Sequence, residues 1–523
     1  ILMLEGSFMD LYNSLGNDNT KWPVLELVYG DAVAPVITPS ASNILFVNKA
    51  AAGNGTGNSW ANAIPELADA LKWARQNKDA GLWSSINPLK IYVAKGTYKP
   101  LYNAADDSFT TNSNRDNAFV MVENVQVYGG FASGSTDLAT RNFTTNETIL
   151  SGDLSGNDVI GVTPAVGAAS ITGNEENAYN VVVISKNLGK GLLDGFTIVG
   201  GNANVNTVRL VNDDGIPHFR GGGVSVTLSD AKLKNLIIKN NQAIEGGGIN
   251  FSDCSVASSL ANVTVENNSA TDYGGGIFVN ESYTSFKDIS VTHNHSVNGG
   301  GLGLRYIVGK FDGLTISNNF ASQRGGAIFG AEVEGQAILS NLYINNNEAT
   351  QQAPAVYLEN STSTSTIASS AIVGHTSTRA PLAFVNNQNV DLTNLTIYNP
   401  SAAQQIYIED GTVDNFRIKN SIILNATNTD AINLDGSSAY FSANSIISGN
   451  TSTANGNINA TGITAANLFT NAASSDFTLK EDNAAVNAGD NTVYNNSQTP
   501  NLSHITKDLA GNDRIRRGAV DLG

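Results

Sequence analysis

Residues 211–220 read VNDDGIPHFR, which sets two carboxylates, an imidazole and a guanidinium within ten positions. Asp213, Asp214, His218 and Arg220 are the residue types that general acid–base chemistry or a divalent cation requires. They form the best local cluster in the chain for such chemistry. The plain alternative is a surface loop carrying ordinary charges. His293 and His295 also lie close together, but no third ligand accompanies them, so a zinc site has little to stand on.

A second set of residues suits binding rather than reaction. Phe278, Phe329 and Tyr357 occupy equivalent places in a repeat, in the column Ser225, Asn250, Phe278, Gly303, Phe329 and Tyr357. Alternation along these strands predicts that the column faces solvent, with Arg305, Tyr306 and Arg324 nearby. An exposed aromatic row stacks on sugar faces or anchors a partner. The competing reading is that the rings support their own sheet through neighbouring pairs.

Both sets depend on the element that carries them, and that element is a repeat. LKNLIIKNN from Leu233 returns as LANVTVENN from Leu260, FKDISVTHN from Phe286, FDGLTISNN from Phe311 and LSNLYINNN from Leu339, at steps of 27, 26, 25 and 28 residues. The frame extends back to Leu193 and forward to Ile367, Leu392, Ile418 and Ser442, giving ten copies. The first, fourth and sixth positions are apolar, as in Leu260, Val263 and Val265, with polar Thr264 and Glu266 interleaved. Near-alternation of this kind marks a strand with one buried face. A second short strand follows each glycine run, burying Ile249 and Phe251, then Ile277 and Val279.

Strands spaced this evenly, and too far apart for hairpins, are satisfied when each pairs with its own copy one turn on. The predicted fold is therefore all-β, a parallel β-helix. Asparagine at the bend tolerates left-handed angles and can bond to its copies above and below, and the glycines allow a bend that a Cβ would obstruct. The NN and GGG patterns are thus fold-making, since a catalytic site would occur once.

Bulk properties narrow the partners. The chain of 523 residues has 51 Gly, 14% charged residues, a formal charge of −17 and a pI near 4.7. Nucleic acid and anionic membrane surfaces need a basic face, so neither is an expected partner. Cys254 is the single cysteine and has no internal partner, which suits an oxidising exterior. No apolar run reaches the roughly 18 residues of a membrane span.

Three regions are expected. Residues 1–42 read as an N-terminal arm or the remnant of a preceding domain. Residues 43–466 form the solenoid, with a capping helix near 64–77 whose face is Ile64, Leu67, Ala68, Leu71 and Ala74. Residues 467–523 form closing coils and a terminal motif. The start at Ile1 suggests a piece of a longer multidomain chain.

The framing segments FVNKAAAGNGTGNSWANAIPELADAL, IYVAKGTYKP, VQVYGGF, TILSGDLSGND and KDLAGNDRIRRGAVDLG resemble those of right-handed parallel β-helix surface proteins of Bacteroidetes-type bacteria, within the pectate-lyase-like superfamily. The GGAI and NN repeats are similar to those of polymorphic outer-membrane proteins, which are adhesins. The resemblance covers roughly residues 43–523. It implies a right-handed solenoid with an N-terminal capping helix, export to the exterior or the outer-membrane surface of a Gram-negative bacterium, and adhesion or binding to a polysaccharide, surface glycan or protein.

A polysaccharide lyase or glycoside hydrolase is the alternative on the same fold, with Asp213, Asp214, His218 and Arg220 as its residues, and a rigid spacer is the third. Polygalacturonase-like motifs can be picked out at Asn428-Thr429-Asp430, Asp213-Asp214, Gly374-His375 and Arg417-Ile418-Lys419. Asp214 and His375 would lie nearly 30 Å apart at about 4.8 Å per coil. Paired carboxylate chemistry needs its groups within about 10 Å. In the repeat frame Gly374-His375 takes the place of Asn240-Asn241. No cofactor is expected and metal ligands stay unassigned, calcium being left open: the outward row Lys239, Glu266, Thr292, Ser317, Asn345 offers one acid and one base, where a calcium-dependent lyase needs several carboxylates.

Overall fold

The computed structural model describes residues 35–523 apart from 107, 112–113, 334–336, 410–412, 436–438 and 517. Most of the predicted N-terminal arm, residues 1–34, lies outside the described residues. Ile37–Gly523 forms one compact unit.

The chain is a parallel β-solenoid with three sheets, of nineteen, eleven and six strands. Each coil contributes a long strand such as Ser259–Glu266 to the largest sheet, a short one such as Ser269–Tyr273 to the smallest, and a third such as Ile277–Asn280 to the eleven-stranded sheet. The ten sequence copies stack in register, with Leu193, Leu233, Leu260, Phe286, Phe311, Leu339, Ile367, Leu392, Ile418 and Ser442 in one row. The row continues N-terminally through Val127 and Ile91 to Leu45, where the sequence period is hidden by insertions.

The spacing of three between the first and fourth apolar positions has a backbone cause. The third residue of each copy is left-handed, as in Asn235 (φ 52°), Asn262 (φ 53°), Asp288 (φ 56°), Gly313 (φ 70°) and Asn341 (φ 52°). One such residue turns the alternation over, so Leu260, Val263 and Val265 all reach the core and are at most 2% exposed. Asn, Asp and Gly take these angles at least cost.

The NN bends divide their labour. The first residue is left-handed, for example Asn267 (φ 54°), and the second forms a buried amide ladder. The backbone N–H of Asn268 donates to Asn294 Oδ1 at 2.9 Å and its Nδ2 donates to the same oxygen at 3.1 Å, and Asn294 repeats both bonds to Asn319 at 2.9 and 3.0 Å. The ladder runs from Asn241 to Asn347 and ends on His375, whose Nδ1 lies 3.1 Å from the Asn347 backbone nitrogen. His375 is 1% exposed, so the Gly374-His375 pair is a rung of the ladder. The glycine runs bring neighbouring coils into contact: a Cβ on Gly275 would overlap the carbonyl oxygens of His295 and Gly300.

At the N-terminal end the helix is Leu67–Gln76, shorter than predicted. Ile64 belongs to the first coil, bridging to Val47 in parallel, and Glu66 is the N-cap. Leu67, Ala68, Ala70, Leu71 and Ala74 are buried on the core that Leu45, Val47 and Leu89 begin. At the other end, residues 465–482 close the last coil with a short helix, Ala465–Leu468, and a hairpin, Phe469–Asn471 with Asp476–Leu479. The described residues of 483–523 do not form further coils. They run back along the outside of the largest sheet, where Val493, Tyr494, Leu502, Ile505 and Val520 bury Ile338 and Ala368. Among the described residues, no helix is long and apolar enough to cross a membrane.

Candidate functional site

The insertion at 208–217 is an antiparallel hairpin, Val208–Val211 with Asp214–Pro217, turned by left-handed Asn212 and Asp213. It does not gather the four residues predicted to act together. Asp213 lies at the exposed turn, with its backbone N–H on Asp106 and its carbonyl on Lys186 Nζ. Asp214 accepts a hydrogen bond from Ser185 Oγ at 3.1 Å. Arg220 Nε pairs with Glu245 Oε2 at 2.5 Å on the next coil. Asp213, Asp214 and Arg220 thus have different neighbours, so the four residues expected to act together are not gathered into one site.

His218 alone turns inward, toward partners far upstream. Its Nε2 is 3.1 Å from Asp116 Oδ1, in a short approach that is not aligned as a hydrogen bond, and its Nδ1 is 2.8 Å from Thr207 Oγ1. The ring stacks on Tyr179 at 4.3 Å and 18°. Arg209 Nη1 lies 3.8 Å from the same carboxylate oxygen. The contact with His218 is the chief cause that holds the Asp116 carboxyl below the usual range; Arg209 and Arg115 add to it, and burial opposes it.

The aromatic column is in register as predicted, from Ser225 through Asn250, Phe278, Gly303 and Phe329 to Tyr357. Its exposure is not as predicted: Phe278 is 1%, Phe329 4% and Tyr357 1% exposed. The rings cover one another. Phe329 stacks on Tyr357 at 5.6 Å and 5°, Tyr273 bridges Phe278 and Phe329 at 6.0 and 5.5 Å, and the Arg324 guanidinium sits 5.1 Å from the centre of Tyr357. Gly303 leaves no free slot, because a Cβ there would meet the Phe278 ring at 3.1 Å. Facing away from the core is not the same as facing water when neighbours are large enough to close over a ring. Arg305 and Tyr306 remain half-exposed at the rim, with Arg305 Nε 3.7 Å from Glu332.

Other candidates resolve as structural contacts. His293 Nδ1 meets Thr292 Oγ1 at 2.9 Å and His295 stacks on Phe320 at 5.4 Å. Lys239 and Glu266 face each other at 3.9 Å. Among the described residues, no group of three or more His, Cys, Asp or Glu side chains is placed to hold a metal ion.

The site that sequence reasoning missed lies under the C-terminal return. Between residues 475–523 and the largest sheet is a cleft of about 700 Å³. Tyr343 and Thr396 line it from the solenoid, Phe477 and Lys480 from the hairpin, and Asp508 and Arg514 from the return. The return is fixed by the left-handed asparagines of the last coils. Asn394 Nδ2 donates to the carbonyls of Asp521 and Gly523, both at 3.0 Å, and its Oδ1 accepts the Tyr494 hydroxyl at 2.9 Å. Asn420 exchanges two 2.9 Å bonds with the Asp490 backbone, and Asn444 Nδ2 donates to Ala488 at 3.2 Å. The available signal was the scatter of Val493, Tyr494, Leu502, Ile505 and Val520 through a polar segment, apolar groups that need a surface to cover.

No family model matches the chain, and no curated protein matches it. Solved structures do. A pectate lyase aligns with a TM-score of 0.45 and 14% identity, over 93% of this chain and 96% of that one. The A-module of an Azotobacter vinelandii mannuronan C-5 epimerase aligns with a TM-score of 0.34 and 11% identity, over 76% and 94%. A tailspike of an Acinetobacter baumannii bacteriophage, solved with capsular saccharide, aligns with a TM-score of 0.25 and 14% identity, over 75% and 77%. What the chain's own geometry establishes is a parallel β-solenoid with a strap of chain along one flank and a cleft beneath that strap.

Proposed function

We propose that this chain is a binding module of adhesin type, presented outside a Gram-negative cell, and that the cleft under its C-terminal return holds a stretch of glycan. The observation that carries the reading is the cleft itself. Its volume of about 700 Å³ falls in the range of small-molecule sites. Its lining joins the rings of Tyr343 and Phe477 to hydroxyls and both signs of charge, the mixture that a polyol with apolar ring faces calls for. One wall is hydrogen-bonded sheet, so little ordering is required on binding. Cleavage of the glycan is the second reading, favoured by the carboxylates of Asp476, Asp508, Asp513 and Asp521 in the same lining.

The test is affinity electrophoresis through neutral and acidic polysaccharides, with an assay for new reducing or unsaturated ends on the same panel. Retention by at least one polymer is expected, weakened roughly tenfold in the Tyr343→Ser, Phe477→Ser double variant, since each lost stacking contact is worth about 0.5–1.5 kcal/mol. Retention untouched by that variant, or lost on Arg305→Ala with Tyr306→Ala instead, overturns the cleft as the site. Turnover moves the chain to the second reading.

A further inference from the structure

Away from the cleft, at the open end of the 208–217 hairpin, three side chains form a line. Asp116 is one end, His218 the buried middle and Thr207 the other end, with separations of 3.1 and 2.8 Å. We infer that this line is an acyl-transfer site, in which Thr207 Oγ1 is the nucleophile, His218 its general base and Asp116 the carboxylate whose charge beside Nε2 favours the ring proton on that nitrogen.

The geometry has the polarity such chemistry needs. A weak hydroxyl nucleophile is activated when a base lies within hydrogen-bond reach and a third group holds that base. His218 is 6% exposed and stacked on Tyr179, so its ring plane is fixed, while Thr207 is exposed and accessible to a reactant. The backbone keeps the pair opposed: His218 N–H donates to the Thr207 carbonyl at 2.8 Å, and Val205 N–H donates to the His218 carbonyl at 3.3 Å. Asp116 is ionised at neutral pH, its carboxyl held below the usual range, and it stands closest to Nε2. With the ring proton on that side, the Nδ1 lone pair faces the Thr207 hydroxyl. Arg209, fixed by the Asp116 carbonyl and Asn180 Oδ1 at 3.1 and 2.9 Å, sets the carboxylate.

The reactant class is a small acyl ester. Oγ1 of Thr207 bonds to the acyl carbon as its proton passes to His218 Nδ1. The bond from the acyl carbon to the departing alcohol oxygen breaks, and that oxygen takes the proton from Nδ1. Water then attacks the acyl-threonine with His218 again as base, releasing the carboxylic acid and restoring the hydroxyl. No oxidant or reductant enters.

The probe is p-nitrophenyl acetate on the whole chain, followed by peptide mass spectrometry. Expected are release of nitrophenol and one acetyl group on the peptide that contains Thr207. Thr207→Val, which keeps the volume and removes the hydroxyl, abolishes both, and Thr207→Ser retains them. His218→Gln lowers the rate roughly 100-fold, the lower range for general base catalysis. Asp116, as a positioning residue, is read by Asp116→Asn, which lowers the acetylation rate while leaving the modified residue unchanged. The inference is overturned if acetyl is found only on lysines, or if Thr207 is acetylated as fast in His218→Gln as in the unaltered chain. Thr207→Val and Thr207→Ser lie at an exposed position, so their circular dichroism separates a chemical effect from a folding one.

Discussion

Each interior rung of the amide ladder is a side chain with all its polar atoms in use. Asn294 donates to Val265, Thr292 and Asn319 and accepts from Asn268, with no exposed surface. His375 interrupts this at the last rung, where an imidazole replaces the amide and its Nδ1 lies 3.1 Å from both the backbone nitrogen and the carbonyl oxygen of Asn347. Burial pushes the His375 pKa down from 6.5 to about 4. Above pH 6.5 neither the folded nor the unfolded chain protonates it, and its contribution to stability is intact. Between 6.5 and about 4 the unfolded chain takes a proton that the folded chain refuses, so stability falls, by about 3 kcal/mol at the lower limit. His375→Asn should complete the ladder and remove that part of the acid sensitivity. Urea midpoints of both proteins near pH 7 and near pH 4.5 check this, and parallel pH profiles would falsify it.

At the scale of the coil, the glycine run and the left-handed third residue make the strands stackable. Gly275→Ala places a Cβ against two backbone carbonyls that cannot move independently of their coils. A loss of about 3 kcal/mol is expected, at the upper end for overpacking. Gly215, in the 208–217 hairpin, has open space within 4 Å of where a methyl would stand and no left-handed φ; Gly215→Ala should stay within about 0.5 kcal/mol. Equal effects in a thermal melt would remove close coil approach as the reason for the glycines. These features were legible in the sequence because a ladder writes the same residue at every coil. Burial of Phe278, Phe329 and Tyr357 was not, since alternation reports which side of a sheet a residue is on but not what covers that side. The partner of His218 was equally hidden: Asp116 is distant in the chain and belongs to no repeat, and only the three-dimensional path joins them.

For the whole molecule, the C-terminal return is the exception to a one-dimensional plan. Solenoid coils touch only their neighbours, whereas residues 483–523 contact rows from Ile338 to Asn444. The cleft exists only while this segment is docked. Deleting residues 483–523 should leave the far-ultraviolet circular dichroism of the coils largely intact and abolish glycan retention; retention by the shortened chain would place the ligand elsewhere. The left-handed asparagines at 394, 420 and 444 explain why the segment lies where it does, because their amides point outward and its carbonyls and backbone N–H groups answer them. A stack of coils without such a strap can peel from its last turn, each one lost exposing the next, like a zipper opened from one end. With the strap fastened across several rows, the final turn cannot peel until the others also let go, so this end of the rod should melt as one block while the helix-capped end frays gradually.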